Sequence, residues 1–134
     1  GDEAARVARQ FFSNPSEDAY ETYGKVCLPL YSNPDAPSAG NFRDRAIQRP
    51  EVAVHFFTEE MAHMDMRDEI AGITCPTLVI GGTIDPVTPP ACSEAIAVAI
   101  GDNAVLRIFE GCGHGPHRDN PDGAEKVMRS FLNG

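Results

Sequence analysis

No apolar run in this chain approaches the roughly 18 residues that a membrane-spanning helix needs. The amino terminus, GDEAARVARQFF, has neither the apolar stretch nor the cleavage site of a secretory signal. The chain therefore reads as soluble, with no membrane partner. Positive charge is also scarce: eleven Lys and Arg against twenty Asp and Glu leave a net charge of −9 and a pI near 4.7. Arg6, Arg9, Lys25, Arg43, Arg45, Arg118 and Arg129 stand singly rather than as a stripe. That excludes nucleic acid and anionic membrane as expected partners.

Paired cysteine spacing is missing too. Cys27, Cys75, Cys92 and Cys112 contain no C-x-x-C, and 134 residues with 42% hydrophobic content form one domain's worth of chain with a core that needs no disulfide. The thiols read as reduced and the compartment as cytoplasmic, with Cys75 and Cys92 as small buried residues. Internal repeats and low-complexity tracts are absent.

The first half has helical grammar. A helix is expected over about 2–12, and a second after Asn14 as N-cap, with Pro15 at the first helical position and Glu17 as the capping-box acid. Tyr20, Tyr23, Cys27 and Leu30 then share one face. Residues 32–47 are rich in Pro, Ser, Asn, Asp and Gly and read as a loop. A third helix is expected over about 50–64, with Ala53, Phe56, Phe57, Met61 and Met64 as its apolar stripe and packing as the role of Met66 as well.

At ITCPTLVIGG the pattern changes. Residues 76–81 are a short β-branched run closed by Gly81 and Gly82, which predicts a buried strand. Thr88 as N-cap and Pro89 open a helix that runs to about residue 100 with Ala91, Ala95, Ile96 and Ala99 inward. A second strand is expected at 104–109. Asn120 and Pro121 then start a last helix that carries Ala124, Val127, Met128, Phe131 and Leu132 inward.

The loop FEGCGHGPHRDNPD carries Cys112, His114, His117 and Asp119 in eight positions and looks at first like a metal clip. Zinc sites gather ligand pairs from separate elements, and the sequence holds no second pair, so no metal and no cofactor is expected. Topology is the better guide. Strand, helix and strand in this order make a parallel crossover unit, whose strand ends share one edge of the sheet. Asp85 follows the first strand by four residues and His114 the second by five, so both stand where open α/β sheets bind ligands. Asp85 taken alone is equally an Asp-Pro turn residue. His117 is the rival base to His114.

An Asp that accepts the Nδ1 proton of a His fixes its tautomer and frees Nε2 to take a proton from a nucleophile. Over about residues 70–133 the chain resembles the α/β-hydrolases, whose triad runs Ser, then Asp or Glu, then His. PTLVIGGTIDPVTPP is similar to the segment with their acid and LRIFEGCGHGPHRDNPD to the segment with their histidine. The resemblance implies an α/β fold, with 1–70 similar to a helical cap (about 2–64) and 71–134 to the C-terminal part of the core, and it makes Asp85 and His114 the catalytic pair. CLPLYS, FFTEEMAHMDMRDEI and ITCPTLVIGG look most like proline-iminopeptidase-type members. In those, an acidic cap residue holds the substrate's amino terminus, which would be Glu60 or its neighbour Glu59. Two adjacent acids on a helix are more often a solvated face.

The departure from the family pattern is large. Nothing reads Gly-x-Ser-x-Gly, and Ser38 in APSAGN lacks the upstream Gly. The strands that would carry the nucleophile and the oxyanion donors are also missing. The expectation is the C-terminal part of a serine-dependent hydrolase acting on ester or N-terminal aminoacyl or prolyl peptide bonds, inactive alone, whose partner is the missing N-terminal half. Two strands with unpaired edges further predict a homodimer. The alternative is a non-enzymatic interaction module derived from the same fold.

Overall fold

The computed structural model describes residues 1–36 and 47–134. Ser38, Arg43, Arg45 and most of the expected 32–47 loop lie outside the described residues. The described residues form two compact units, one of 1–30 and 47–65, the other of 31–36 and 66–134. Among them no helix is long and apolar enough to cross a membrane.

The first unit is helical. Helix α1 spans Asp2–Ser13 and α2 spans Glu17–Val26. Ser16, not Asn14, caps α2: its hydroxyl accepts the Ala19 N–H at 3.2 Å. Asn14 instead closes α1, its N–H donating to Gln10 O. Pro15 therefore precedes the cap, and Glu17 is the first helical residue rather than the third-position acid of a capping box. The core is aromatic. Phe11, 1% exposed, meets Tyr23 at 5.0 Å and Phe57 at 4.9 Å between ring centroids, with Phe12 and Tyr20 alongside.

The expected face of α2 ends at Cys27. A 3₁₀ turn over Leu28–Tyr31 takes over and carries Leu30 into solvent. Helix α3, Pro50–His55, is likewise shorter than the expected 50–64, because a π turn over Phe56–Glu60 follows it. There Met61 N–H donates to Phe56 O, five residues back. The wider turn rotates everything after it out of α register. A stripe drawn at 3.6-residue spacing therefore fails beyond Phe57, and Met61, Met64 and Met66 are exposed.

In the second unit a short helix α4, Arg67–Ile70, leads to strand β1, Thr77–Gly82, one residue later than expected. Strand β2, Ala104–Phe109, runs parallel to it in the register Thr77 to Ala104 through Gly82 to Phe109. Only Val79 among the large β1 residues is fully buried. With two strands among the described residues, each keeps an outer edge that no other strand covers, so full burial of a parallel strand is not reached.

Helix α5, Pro90–Ile100, joins the strands and packs on both. Pro89 is its N-cap, not Thr88. Ser93 and Ile100 are its buried residues, whereas Ala91, Ala95, Ile96 and Ala99 are exposed. The helix PACSEAIAVAI is apolar almost all round, so periodicity cannot choose its inner face. Ser93 fits inward because Gly81 opposite has no side chain to displace it. Cys75 and Cys92 are exposed rather than buried.

A four-residue helix α6, Pro116–Asp119, and the last helix α7, Pro121–Leu132, complete the chain. Asn120 caps α7 by accepting the Gly123 N–H at 3.0 Å, with Pro121 next. Ala124 is buried, but Leu132 and Met128 are exposed. A groove of about 520 Å³ between Leu78 and Val105 on the strands and Val127 and Phe131 on α7 leaves the latter two only half-buried.

Candidate active site

Beyond the last ladder pair, the loops after β1 and β2 stay bonded to each other. Thr83 N–H donates to Phe109 O, Ile84 N–H to Cys112 O, and Gly111 N–H to the Thr83 hydroxyl, at 3.0, 3.0 and 2.9 Å. Gly82 makes this approach possible: the Cys112 and Gly113 carbonyls lie where any Cβ would stand. The two loops thus run side by side, which brings the Asp85 and His114 side chains together.

His114 Nδ1 lies 2.9 Å from Asp85 Oδ2. The Asp85 side chain is 4% exposed and that of His114 40%. Asp85 is fully engaged: Oδ1 accepts the Val87 and Thr88 N–H groups at 2.8 and 3.1 Å, while Oδ2 accepts the Thr88 hydroxyl at 2.8 Å. Burial pushes the Asp85 carboxyl up, but the hydrogen bonds from Val87, His114 and Thr88 outweigh it and hold the group below the usual carboxylate range. A carboxylate opposite Nδ1 favours, in the neutral imidazole, the tautomer that carries its proton on that nitrogen.

Thr88 is a residue that the sequence reading missed. Its hydroxyl stands 3.3 Å from His114 Nδ1 as well as on Asp85, so it braces the pair instead of capping α5. Its sole sequence signal was position, three residues after the acid. The imidazole is flanked by the Tyr31 ring, edge to face at 5.3 Å, and its backbone N–H donates to Tyr31 O at 2.6 Å.

The other residues of the apparent metal clip, and the rival base, do not join this pair. Cys112 is buried, and burial together with the charges of Asp119 and Glu110 raises its thiol above the ordinary range, away from a nucleophilic thiolate. His117 lies exposed on α6. No group of three or more metal-ligating side chains occurs among the described residues. Glu60 and Glu59 are exposed in the first unit, with Glu60 3.7 Å from His55.

Asp85 and His114 stand in contact at one sheet edge, and a family model for TAP-like proteins, an α/β-hydrolase family, matches residues 56–134. The chain belongs to this family. A proline iminopeptidase of Pestalotiopsis fici is 32% identical over 108 residues, 80% of this chain and 38% of that protein. A non-heme haloperoxidase of Rhodococcus erythropolis is 34% identical over 68 residues, 51% of this chain and 25% of that protein. Among solved structures, an α/β-fold hydrolase from Bacillus anthracis superposes with a TM-score of 0.69 at 14% identity, over 97% of this chain and 48% of that one. A thermophilic esterase from Thermogutta terrifontis gives 0.66 at 20% identity, over 98% and 49%. The TAP-like chain thus has the fold of part of an α/β-hydrolase, and it spans well under half the length of these curated relatives.

Proposed function

We propose that Asp85 and His114 are the acid and base of a Ser-His-Asp triad, in a hydrolase whose serine comes from residues outside this chain. The observation that carries the reading is the 2.9 Å contact between a buried, ionised Asp85 and the Nδ1 of a half-exposed His114. In that arrangement Nε2 takes the proton of an attacking serine hydroxyl and returns it to the leaving alkoxide or amine, while Asp85 stays ionised and stabilises the imidazolium. Such chemistry needs neither metal nor cofactor.

Esters and N-terminal aminoacyl or prolyl peptide bonds are the proposed substrates, supported by the relative named as a proline iminopeptidase and the fold neighbour named as an esterase. The helical first unit acts as the cap, with Glu60 or Glu59 receiving the substrate's amino group. The uncovered strand edges support a core completed by a missing N-terminal half, and self-association, at least to a homodimer, of the chain without it. Four free cysteines suit the cytoplasm.

A serine-directed fluorophosphonate probe, with ester and aminoacyl-amide assays, tests the reading on this chain. Neither labelling nor turnover is expected. Specific labelling, or turnover that His114→Ala abolishes, would place the nucleophile inside the chain and overturn it. In a longer form carrying the serine, Asp85→Asn lowers kcat by about 10⁴-fold. Sedimentation as a clean monomer would count against the dimer.

A further inference from the structure

Asp119 is a buried carboxylate that the proposed chemistry leaves unused. Burying such a group is costly unless its oxygens are bonded. Asp119 Oδ2 accepts two backbone N–H groups, from Gly113 at 2.7 Å and from Asn33 at 2.9 Å. Gly113 directly precedes His114, whereas Asn33 lies 86 positions away from Asp119 along the chain. The Asn33 side chain adds a third link, donating from Nδ2 to Gly111 O at 2.7 Å. The His114 N–H on Tyr31 O is the fourth. Gly113 is seated so closely against the Tyr31 carbonyl that no Cβ fits.

These bonds fall on Gly111, Gly113 and His114, so one side of the histidine loop is fastened to residues 31–33. The other side is fastened to the Asp85 loop through Thr83 and Ile84. We infer that Asp119 and Asn33 are positioning residues for His114: they clamp its loop to residues 31–33 and thereby fix where the imidazole stands relative to Asp85. His114 lies five residues beyond the end of β2, too far for the strand alone to set a contact that a displacement of about 1 Å would break. Asp119 and Asn33 touch no reacting atom; they act through the loop. The inference rests on the triad reading for its functional meaning, but the clamp has a readout of its own.

Nuclear magnetic resonance on the full chain provides the test. Amide hydrogen exchange at Gly113 and His114 is expected to accelerate about tenfold or more in Asp119→Ala and Asn33→Ala, the loss of one or two good hydrogen bonds. Asp119→Asn keeps an acceptor oxygen and restores much of the protection. A His114 Nδ1–H signal is expected in the parent chain and is expected to be lost or broadened in Asp119→Ala. It persists in Val127→Ala, a packing change in α7 away from the loop. A folded Asp119→Ala chain with unchanged exchange and ring signals would overturn the inference, as would Val127→Ala producing the same loss. If Asp119→Ala does not fold, Asn33→Ala decides alone, and unchanged exchange there sinks the clamp. Asp85→Asn that leaves the ring signals unchanged would instead remove the triad reading, with the exchange result standing.

Discussion

Phe11 and Asp85 are both almost hidden from solvent, but their surroundings have nothing in common. Phe11 is packed by the rings of Phe12, Tyr20, Tyr23 and Phe57. Asp85 is held by two backbone N–H groups, a hydroxyl and an imidazole. Ring packing is nondirectional and scales with buried area. Hydrogen bonds contribute less net energy each, yet they fix positions to fractions of an ångström. Stability in the helical unit and placement at the candidate site are therefore controlled by different kinds of contact, and substitutions can separate them.

The largest separation comes from Phe11→Ala, expected to cost about 3–5 kcal/mol in urea unfolding because a large buried ring leaves a cavity. A cost under about 1 kcal/mol would show that the aromatic cluster collapses to fill the space. Gly82→Ala pushes a methyl group against the Cys112 and Gly113 carbonyls, and should cost about 1–3 kcal/mol as overpacking. It should also shift the His114 ring resonances, which Phe11→Ala should leave alone.

Thr88→Val removes a hydroxyl from Asp85 at nearly constant volume and is expected to cost about 1 kcal/mol. The His114 Nδ1–H signal should move, and Thr88→Ser should restore it. Ser16→Ala should cost about 1 kcal/mol through the lost cap of α2, whereas Asn14→Ala, which leaves the cap in place, should change stability less. Equal effects at the two positions would argue against Ser16 as the cap.

Acid separates the regions in another way. Asp85 has a folded-state pKa below its unfolded value near 3.8, so its contribution is complete above that value and is lost as pH falls through the lower, folded one. Acid titration of the chain and of Asp85→Asn should show a steeper loss of stability below about pH 4 in the parent. Parallel curves would mean that the carboxylate is not stabilised in the folded chain.

What the sequence made legible follows the same division. β-branched residues closed by Gly-Gly, and Pro after an Asn cap, are local signals, and they located β1, β2 and α7 to within a residue. Parallel topology then brought Asp85 and His114 to one edge. The contacts of Thr83, Asn33 and Asp119 depend on where distant loops end, and no spacing rule encodes them, whereas Thr88 sits only three residues from Asp85, where it equally reads as a helix cap. The inner face of α5 was illegible for a different reason, since a helix apolar on every side has no moment to follow. The π turn after α3 broke the assumption of 3.6 residues per turn on which the methionine stripe rested.

The distribution of the four thiols has a practical consequence. Cys75 and Cys92 face solvent, whereas Cys27 lies in the helical unit and Cys112 in the histidine loop, both buried. A native-state labelling reagent should consume two equivalents quickly and two slowly, and the slow pair records different events. Alkylation of Cys27, whose thiol meets the Ala4 carbonyl of α1, times the opening of the packing between α1 and the end of α2, and alkylation of Cys112 times the release of the loop that carries His114. The chain thus holds one chemical stopwatch for each kind of contact compared above, with no substitution required to install either.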